Sequence, residues 1–418
     1  MIDLAPLDPA QLNATRQPFG HARMLPRAAY VDPAMLDWER RRLFDGGWVC
    51  AGRLDSILPP DSVESQARGP AGGSAPGTSN HGPANHGPAN QAAVNVGGSG
   101  VLITRDAEGT LAAFANICRH RGHELLACGA TTVRGVVQCP YHAWTYGLGG
   151  ALRIAPHCGD VPNLVPDELG LLPVGLAQWG GWLFVNSDNN AGPFAGHLGG
   201  FAELVAPWSP ERLVVAATHR YELRANWKVA IENYHECYHC PLIHPELCRV
   251  SPADSGVNIH DLPGAFVGGA MRLADHAATM SLDGRSPLAP FAGLDDQRRR
   301  QVLYLNLFPN LLVSLHPDYV LTHRIEPLTP TTSRIECQWL FDRDDVDAAG
   351  FDPAFAVDFW DVTNREDWAA VESVQRGLDS PRFVPGIFTA EEDAVYHFAS
   401  MVAAAYAGVP LARASERH

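Results

Sequence analysis

Two short runs of mixed cysteine and histidine constrain this chain more than any other feature. Cys118-Arg119-His120 and Cys139-Pro140-Tyr141-His142 each offer one thiolate and one imidazole from a turn, with 18 residues between His120 and Cys139. The runs sit among short β-type segments at Val101–Thr104, Leu111–Asn116, Gly135–Gln138 and Gly181–Asn186, so this half reads as mostly β. Mixed pairs suit a [2Fe–2S] centre in which two cysteines hold one iron and two histidines the other. Replacing two thiolates by neutral imidazoles raises the reduction potential. A structural Cys2His2 zinc site takes the same ligands, although zinc fingers normally group Cys with Cys and His with His.

A second cluster lies at Glu232–Pro245, ENYHECYHCPLIHP. His239 and His244, with a carboxylate from elsewhere, would form a 2-His-1-carboxylate face that leaves coordination positions open and suits non-heme Fe(II) oxygen chemistry. Apolar periodicity through Trp227, Ile231, Tyr234 and Tyr238 predicts a helix over Asn226–Cys240. Glu236 and His239 would share one of its faces, and a break at Pro241 would turn His244 back towards the metal. The competing set, Cys237, His239, Cys240 and His244, would be a closed zinc site; otherwise Cys237 and Cys240 are expected as buried thiols. For the third ligand the run DFWDVTNREDWAAVESVQRG offers Asp358, Asp361, Glu366, Asp367 and Glu372, and spacing alone does not choose.

The remainder bounds the function. A chain of 418 residues suffices for two domains. Its net charge of −15 argues against nucleic acid as the main partner, because phosphate binding needs clustered Lys and Arg. The N-terminus lacks a basic segment and an apolar core, and the most apolar window, Gly170–Val185, is interrupted by Pro173 and too short to span a bilayer. A soluble cytoplasmic protein without a membrane partner is expected. Nine scattered cysteines read as metal ligands and buried thiols, not a disulfide framework. Asp32-Pro33 caps an amphipathic helix predicted over Val31–Gly46. Pro59–Ala92 carries the tandem repeat NHGPANHGPAN and is predicted to be a disordered surface insertion. Strands are expected at His219–Leu223, Tyr304–Phe308, Leu311–Leu315, Tyr319–Ile325 and Arg334–Phe341, with helices at Ala354–Gln375 and Ala390–Ala405. This is an α+β arrangement.

CRHRGHEL with CPYHAWTYGLGG resembles the Rieske motif, with a slightly long gap between its halves. NYHECYHCPLIHP resembles the acidic-x2-His-x4-His iron-binding segment of the Rieske non-heme iron oxygenase α subunits. The two motifs, in this order, cover nearly the whole chain. The resemblance implies an all-β Rieske domain over 45–165 with the insertion at about 59–92, joined to a helix-covered antiparallel-sheet catalytic domain over 166–418. Residues 1–44 would pack on the latter. It implies a [2Fe–2S] cluster on Cys118, His120, Cys139 and His142, and a mononuclear Fe(II) on His239, His244 and Asp367, the last from an E-D-x4-E run, with Asp361 second. Glu236 would be an electron bridge to His142 of a neighbouring subunit in a head-to-tail ring, usually a homotrimer. Electrons from NAD(P)H would arrive through a separate flavin/iron–sulfur reductase, since the chain has no dinucleotide or flavin fingerprint.

Most ring-hydroxylating members have Asp where Glu236 stands. Glu236 in ECYHC, NREDWAAVESVQRGL and the run Gly268–Gly284 together resemble the branch acting on quaternary ammonium compounds: glycine betaine and stachydrine demethylases, with choline and carnitine monooxygenases nearby. The implied reaction is O2-dependent hydroxylation of an N-methyl carbon, giving a hemiaminal that loses formaldehyde. Aromatic-ring dioxygenation or aromatic O-demethylation is the second reading, and a carrier using the Rieske centre alone the third. Substrate recognition calls for an aromatic box around the cation and a cationic or amide group for a carboxylate. Phe266, Met271, Tyr304 and His316 are pocket candidates.

Overall fold

The computed structural model describes residues 4–59, 90–158, 165–259 and 262–409. Two compact units emerge, Asp45–Asn190 and Met1–Phe44 with Ala191–His418. Among the described residues no helix is long and apolar enough to cross a membrane.

The first unit is β-rich. Ser99–Arg105 pairs with Gln91–Val96 on one side and Leu111–Ala115 on the other, and Val101, Leu102 and Ile103 are essentially fully buried. Val136–Gln138, Thr145–Gly147 and Leu152–Ile154 form a second small antiparallel sheet. A third places Trp182–Asn186 between Val49–Arg53 and Gly175–Trp179. That pairing moves the expected boundary at 165/166 to 190/191: Trp182, Leu183, Phe184 and Val185 bury their side chains within this unit. The insertion also ends earlier than expected, because Gln91 and Ala92 already pair with Thr104 and Ile103; its residues 60–89 lie outside the described residues.

The second unit is built on a seven-stranded antiparallel sheet. Its order is Leu213–Leu223, Thr332–Asp342, Val320–Thr329, Leu311–Leu315, Gln301–Leu307, Phe266–Arg272 and Val257–Asn258. Phe266–Arg272 escaped the sequence reading because its centre is Gly268-Gly269, a poor strand signal. A Cβ on Gly268 would stand 2.2 Å from the Tyr304 carbonyl oxygen. The helices Trp227–Tyr234, Ala354–Asp379 and Asp393–Tyr406 belong to the same unit.

Asp32 caps the helix Pro33–Glu39 as expected, accepting from the Ala34 N–H at 2.9 Å, but the α-helix then gives way to a π-turn at Arg40–Asp45. This segment supplies Glu39, which is fully buried. Its carboxylate accepts from Lys228 Nζ at 2.7 Å, from Trp227 Nε1 at 2.8 Å and from the Tyr406 hydroxyl. One buried anion thus joins the N-terminal helix, the motif helix Trp227–Tyr234 and the C-terminal helix. Buried charges persist only when paired and hydrogen-bonded, so the network locks the start of the motif helix in place.

Candidate functional site

Asn226 starts the histidine-bearing segment. Its side chain accepts from the Lys228 N–H at 3.0 Å and donates to the Tyr30 and Pro330 carbonyls. The helix ends at Tyr234, six residues before the expected end at Cys240. Glu236 and His239 therefore stand in irregular chain and not on a helix face. They meet through a local turn in which Glu236 Oε2 accepts from the Tyr238 and His239 N–H groups at 2.6 and 3.1 Å. Pro241 does not break a helix; it lies in the first turn of a new short one, Cys240–Ile243, where a missing N–H costs nothing. His244 forms the corner between that turn and Pro245–Val250, and it is buried. Cys237 and Cys240, expected as separate thiols, are joined as a disulfide across this loop. That pairing also removes both from the alternative zinc set.

Asp367 comes from the middle of the long helix Ala354–Asp379, 123 residues after His244. Its Oδ1 lies 2.9 Å from His244 Nε2 and 3.3 Å from His239 Nε2, and the two Nε2 atoms are 3.1 Å apart. Three donors held at right angles about 2.1 Å from one ion are about 3.0 Å from one another, so the triangle fits one face of a metal ion. These three residues are the one group of metal-capable side chains this close among the described residues. Asp361 is elsewhere: its carboxylate binds Tyr221 at 2.7 Å and Arg365 at 2.7 Å.

Each imidazole is oriented from behind by a carboxylate. Glu236 Oε1 contacts His239 Nδ1 at 2.5 Å, and Glu366 Oε2 contacts His244 Nδ1 at 2.8 Å. A carboxylate at Nδ1 fixes the tautomer that leaves Nε2 free to ligate. Sequence reading had Glu366 only as one of five possible ligands. The E-D pair signals the double role, because adjacent residues on a helix diverge enough to reach opposite sides of one imidazole. Burial disfavours a charged His239, but hydrogen bonds to Asp367 and Glu236 outweigh it and lift the imidazole to about 9. Burial likewise opposes ionisation of Asp367, and the two histidines overcome it, holding its carboxyl below the usual range. The cluster favours positive charge, a demand a divalent ion meets.

In the β unit Cys118 neighbours Cys139, and His120 neighbours His142. The Cys118 N–H donates to the His123 carbonyl and the Cys139 N–H to the Trp144 carbonyl, both at 2.8 Å, closing two turns. Gly122, with φ +73°, permits the first of them. Both thiols are buried, and burial with the neighbouring Cys118 raises the Cys139 thiol. The imidazoles of His120 and His142 lie nearer solvent, 4.8 Å apart between ring centres, and His120 stacks on Trp144 at 4.9 Å. Tyr146 hydroxyl sits 3.3 Å from Cys118 Sγ. Buried sulfurs at one end and two accessible imidazoles at the other are what a two-iron cluster with split ligation needs.

A cavity of about 470 Å³ opens beside the His239–His244–Asp367 triad. Met271 and Tyr304 line it, as do Tyr234 and Trp360. Phe266 and His316 do not: Phe266 packs on Phe201, and His316 is fully buried against Tyr319.

Comparison with known proteins finds both domain types. The family described as ring hydroxylating alpha subunit (catalytic domain) matches residues 210–408, and the Rieske [2Fe-2S] domain matches residues 83–165. The chain is 29% identical to the glycine betaine monooxygenase oxygenase subunit of Chromohalobacter salexigens, over 87% of this chain and 81% of that one. It is 28% identical to the chloroplastic choline monooxygenase of Spinacia oleracea, over 89% and 76%. The fold matches that of the quaternary ammonium Rieske monooxygenase CntA with a TM-score of 0.74 at 23% identity, covering 96% of this chain and 99% of that one. The chain therefore belongs to the Rieske oxygenases, enzymes that join a Rieske [2Fe–2S] domain to the catalytic domain of a non-heme iron ring-hydroxylating α subunit.

Proposed function

We propose that this protein is the terminal oxygenase of a system that hydroxylates an N-methyl group of a quaternary ammonium compound and releases formaldehyde. The observation that carries this reading is the cavity beside the triad, walled by Tyr234, Tyr304 and Trp360 with ring centres 5.8 and 6.5 Å apart in edge-to-face order. Aromatic faces attract an alkylammonium ion, which keeps little hydration to lose. The two relatives are named for quaternary ammonium substrates, glycine betaine and choline.

In this reading Cys118, His120, Cys139 and His142 hold the [2Fe–2S] cluster, and His239, His244 and Asp367 hold the ferrous ion. When bound, the first supplies single electrons and the second supplies O2 activation. Glu366 and Glu236 keep the two imidazoles in the ligating tautomer. The rings orient the cation so that an N-methyl group points at the triad.

Glu236 is also assigned to the bridge towards His142 of a neighbouring copy, and a homotrimer fed by a separate reductase in the cytoplasm completes the reading. Support for a copy docking here comes from Tyr238 and Leu242, 60% and 91% exposed and two and six residues after Glu236. Apolar side chains so exposed beside a functional group mark a contact surface.

The test is turnover of ammonium and aromatic substrates by the purified oxygenase with a surrogate reductase. Formaldehyde from ammonium substrates, about three irons per chain on the ligand count and loss of turnover in Glu236→Gln are expected. Ring hydroxylation without formaldehyde would move the assignment to the aromatic branch. Two irons per chain with no oxygenation would leave only an electron carrier.

A further inference from the structure

We infer that the cavity selects a quaternary ammonium ion whose other end is a neutral hydrogen-bonding group and not a carboxylate. This rests on the N-methyl reading and narrows it. The charged carboxylate side chains lining the cavity are Glu236, Asp367, Glu391 and Asp393, and among the described residues no Lys or Arg lines it. A divalent ion on the triad offsets the formal charges of Asp367 and Glu236; Glu391 and Asp393 keep the lining formally anionic. His235 lines the cavity too, but burial lowers it to about 4, so it adds no positive charge at neutral pH. Of the cationic or amide group expected from sequence for a substrate carboxylate, no Lys or Arg is present in the described lining. Two amides line it, Asn233 and Asn258, and Asn258 already donates to Asp393.

The same cavity holds two buried polar atoms without a partner, the Tyr304 hydroxyl and His235 Nε2. Buried polar groups are nearly always satisfied, and such an orphan in a cavity points to a ligand. Burial, the largest influence on it, keeps the Tyr304 phenol protonated. It can therefore donate to a hydroxyl or ester oxygen. A zwitterion such as glycine betaine would instead bring its carboxylate into an acidic cavity. Like charges about 6 Å apart at an effective dielectric of about 20 disfavour it on the order of 100-fold.

Isothermal titration of the anaerobic holoenzyme with choline, glycine betaine, glycine betaine methyl ester and tetramethylammonium tests this, with formaldehyde followed in parallel. Choline and the ester should bind on the order of 100-fold tighter than glycine betaine, which differs from its ester by one charge. Tyr304→Phe, which keeps the ring, should weaken choline about tenfold more than it weakens tetramethylammonium, with the cluster absorbance of wild type. Glu391→Lys, at an exposed position, should tighten glycine betaine selectively. Glycine betaine binding as tightly as its ester, with formaldehyde formed, overturns the selectivity and leaves the N-methyl reading standing. If none of the four ions binds, both fall.

Discussion

Replacing Glu366 by Gln isolates the support behind His244, one of the three residues proposed to hold the ferrous ion. His244 has a side-chain exposure of 1%, its Nδ1 meets Glu366 Oε2 at 2.8 Å, and its Nε2 faces Asp367. Glutamine keeps the size, but it removes the charge and can offer an N–H to Nδ1, favouring the tautomer that protonates Nε2. Outer-shell carboxylates of this kind are typically worth 10–100-fold in metal affinity, or about 1.4–2.7 kcal/mol. Glu366 is 32% exposed, so solvent screening places the effect near the lower bound, about tenfold. The measurement is competition between the protein and a ferrous chelator for the mononuclear iron, with the Rieske absorbance as an internal measure of folded protein. Glu372→Gln is the control: it lies on the same helix, but its carboxylate accepts from the Arg224 N–H at 3.0 Å, away from the triad. Equal iron affinity in Glu366→Gln and Glu372→Gln would refute a supporting role for Glu366.

Three further outcomes follow from the packing. Lys228→Met strands the buried Glu39 carboxylate with only neutral donors, and urea unfolding should show a loss of about 3–5 kcal/mol, part of which Lys228→Met/Glu39→Gln restores. Burial raises Glu232 to about 7, although Tyr30 and Lys228 pull the other way, whereas the unfolded carboxyl titrates near ~4.3. Its folded state therefore disfavours the charge, so stability falls as pH rises from ~4.3 to about 7, and Glu232→Gln should flatten the Tm–pH profile across that window. Gly150→Ala places a Cβ 2.4 Å from the Phe114 ring at φ +88°, and should cost about 2–4 kcal/mol, read as lower thermal retention of the cluster absorbance.

Much of the candidate site was legible because metal ligation depends on residue type at short spacing. C-x-H, C-x2-H and the two histidines five apart carry their chemistry in the local chain, and a capped helix at Asp32-Pro33 needs only its neighbours. Misreadings arose where a local pattern was extrapolated through irregular chain. The apolar repeat to Tyr238 suggested a helix, yet the chain leaves helical form after Tyr234, and Tyr238 is 60% exposed. The boundary near 165 was missed because Trp182–Asn186, with Gly175–Trp179 on its other side, pairs with Val49–Arg53, more than a hundred residues earlier.

The sequence by itself determined the two ligand motifs, their order and the chemistry each can support. Tertiary structure alone decided that Asp367 and not Asp361 faces the histidines, that Glu366 stands behind one of them, and that the cavity is lined by acidic groups, aromatic rings and two unpartnered polar atoms. The reason is physical. Ligand chemistry lies in a few adjacent residues, whereas the triad and its cavity unite side chains from residues 234 to 393. Closing such long loops is driven by burial summed over the whole sheet and its helices, which no local pattern records.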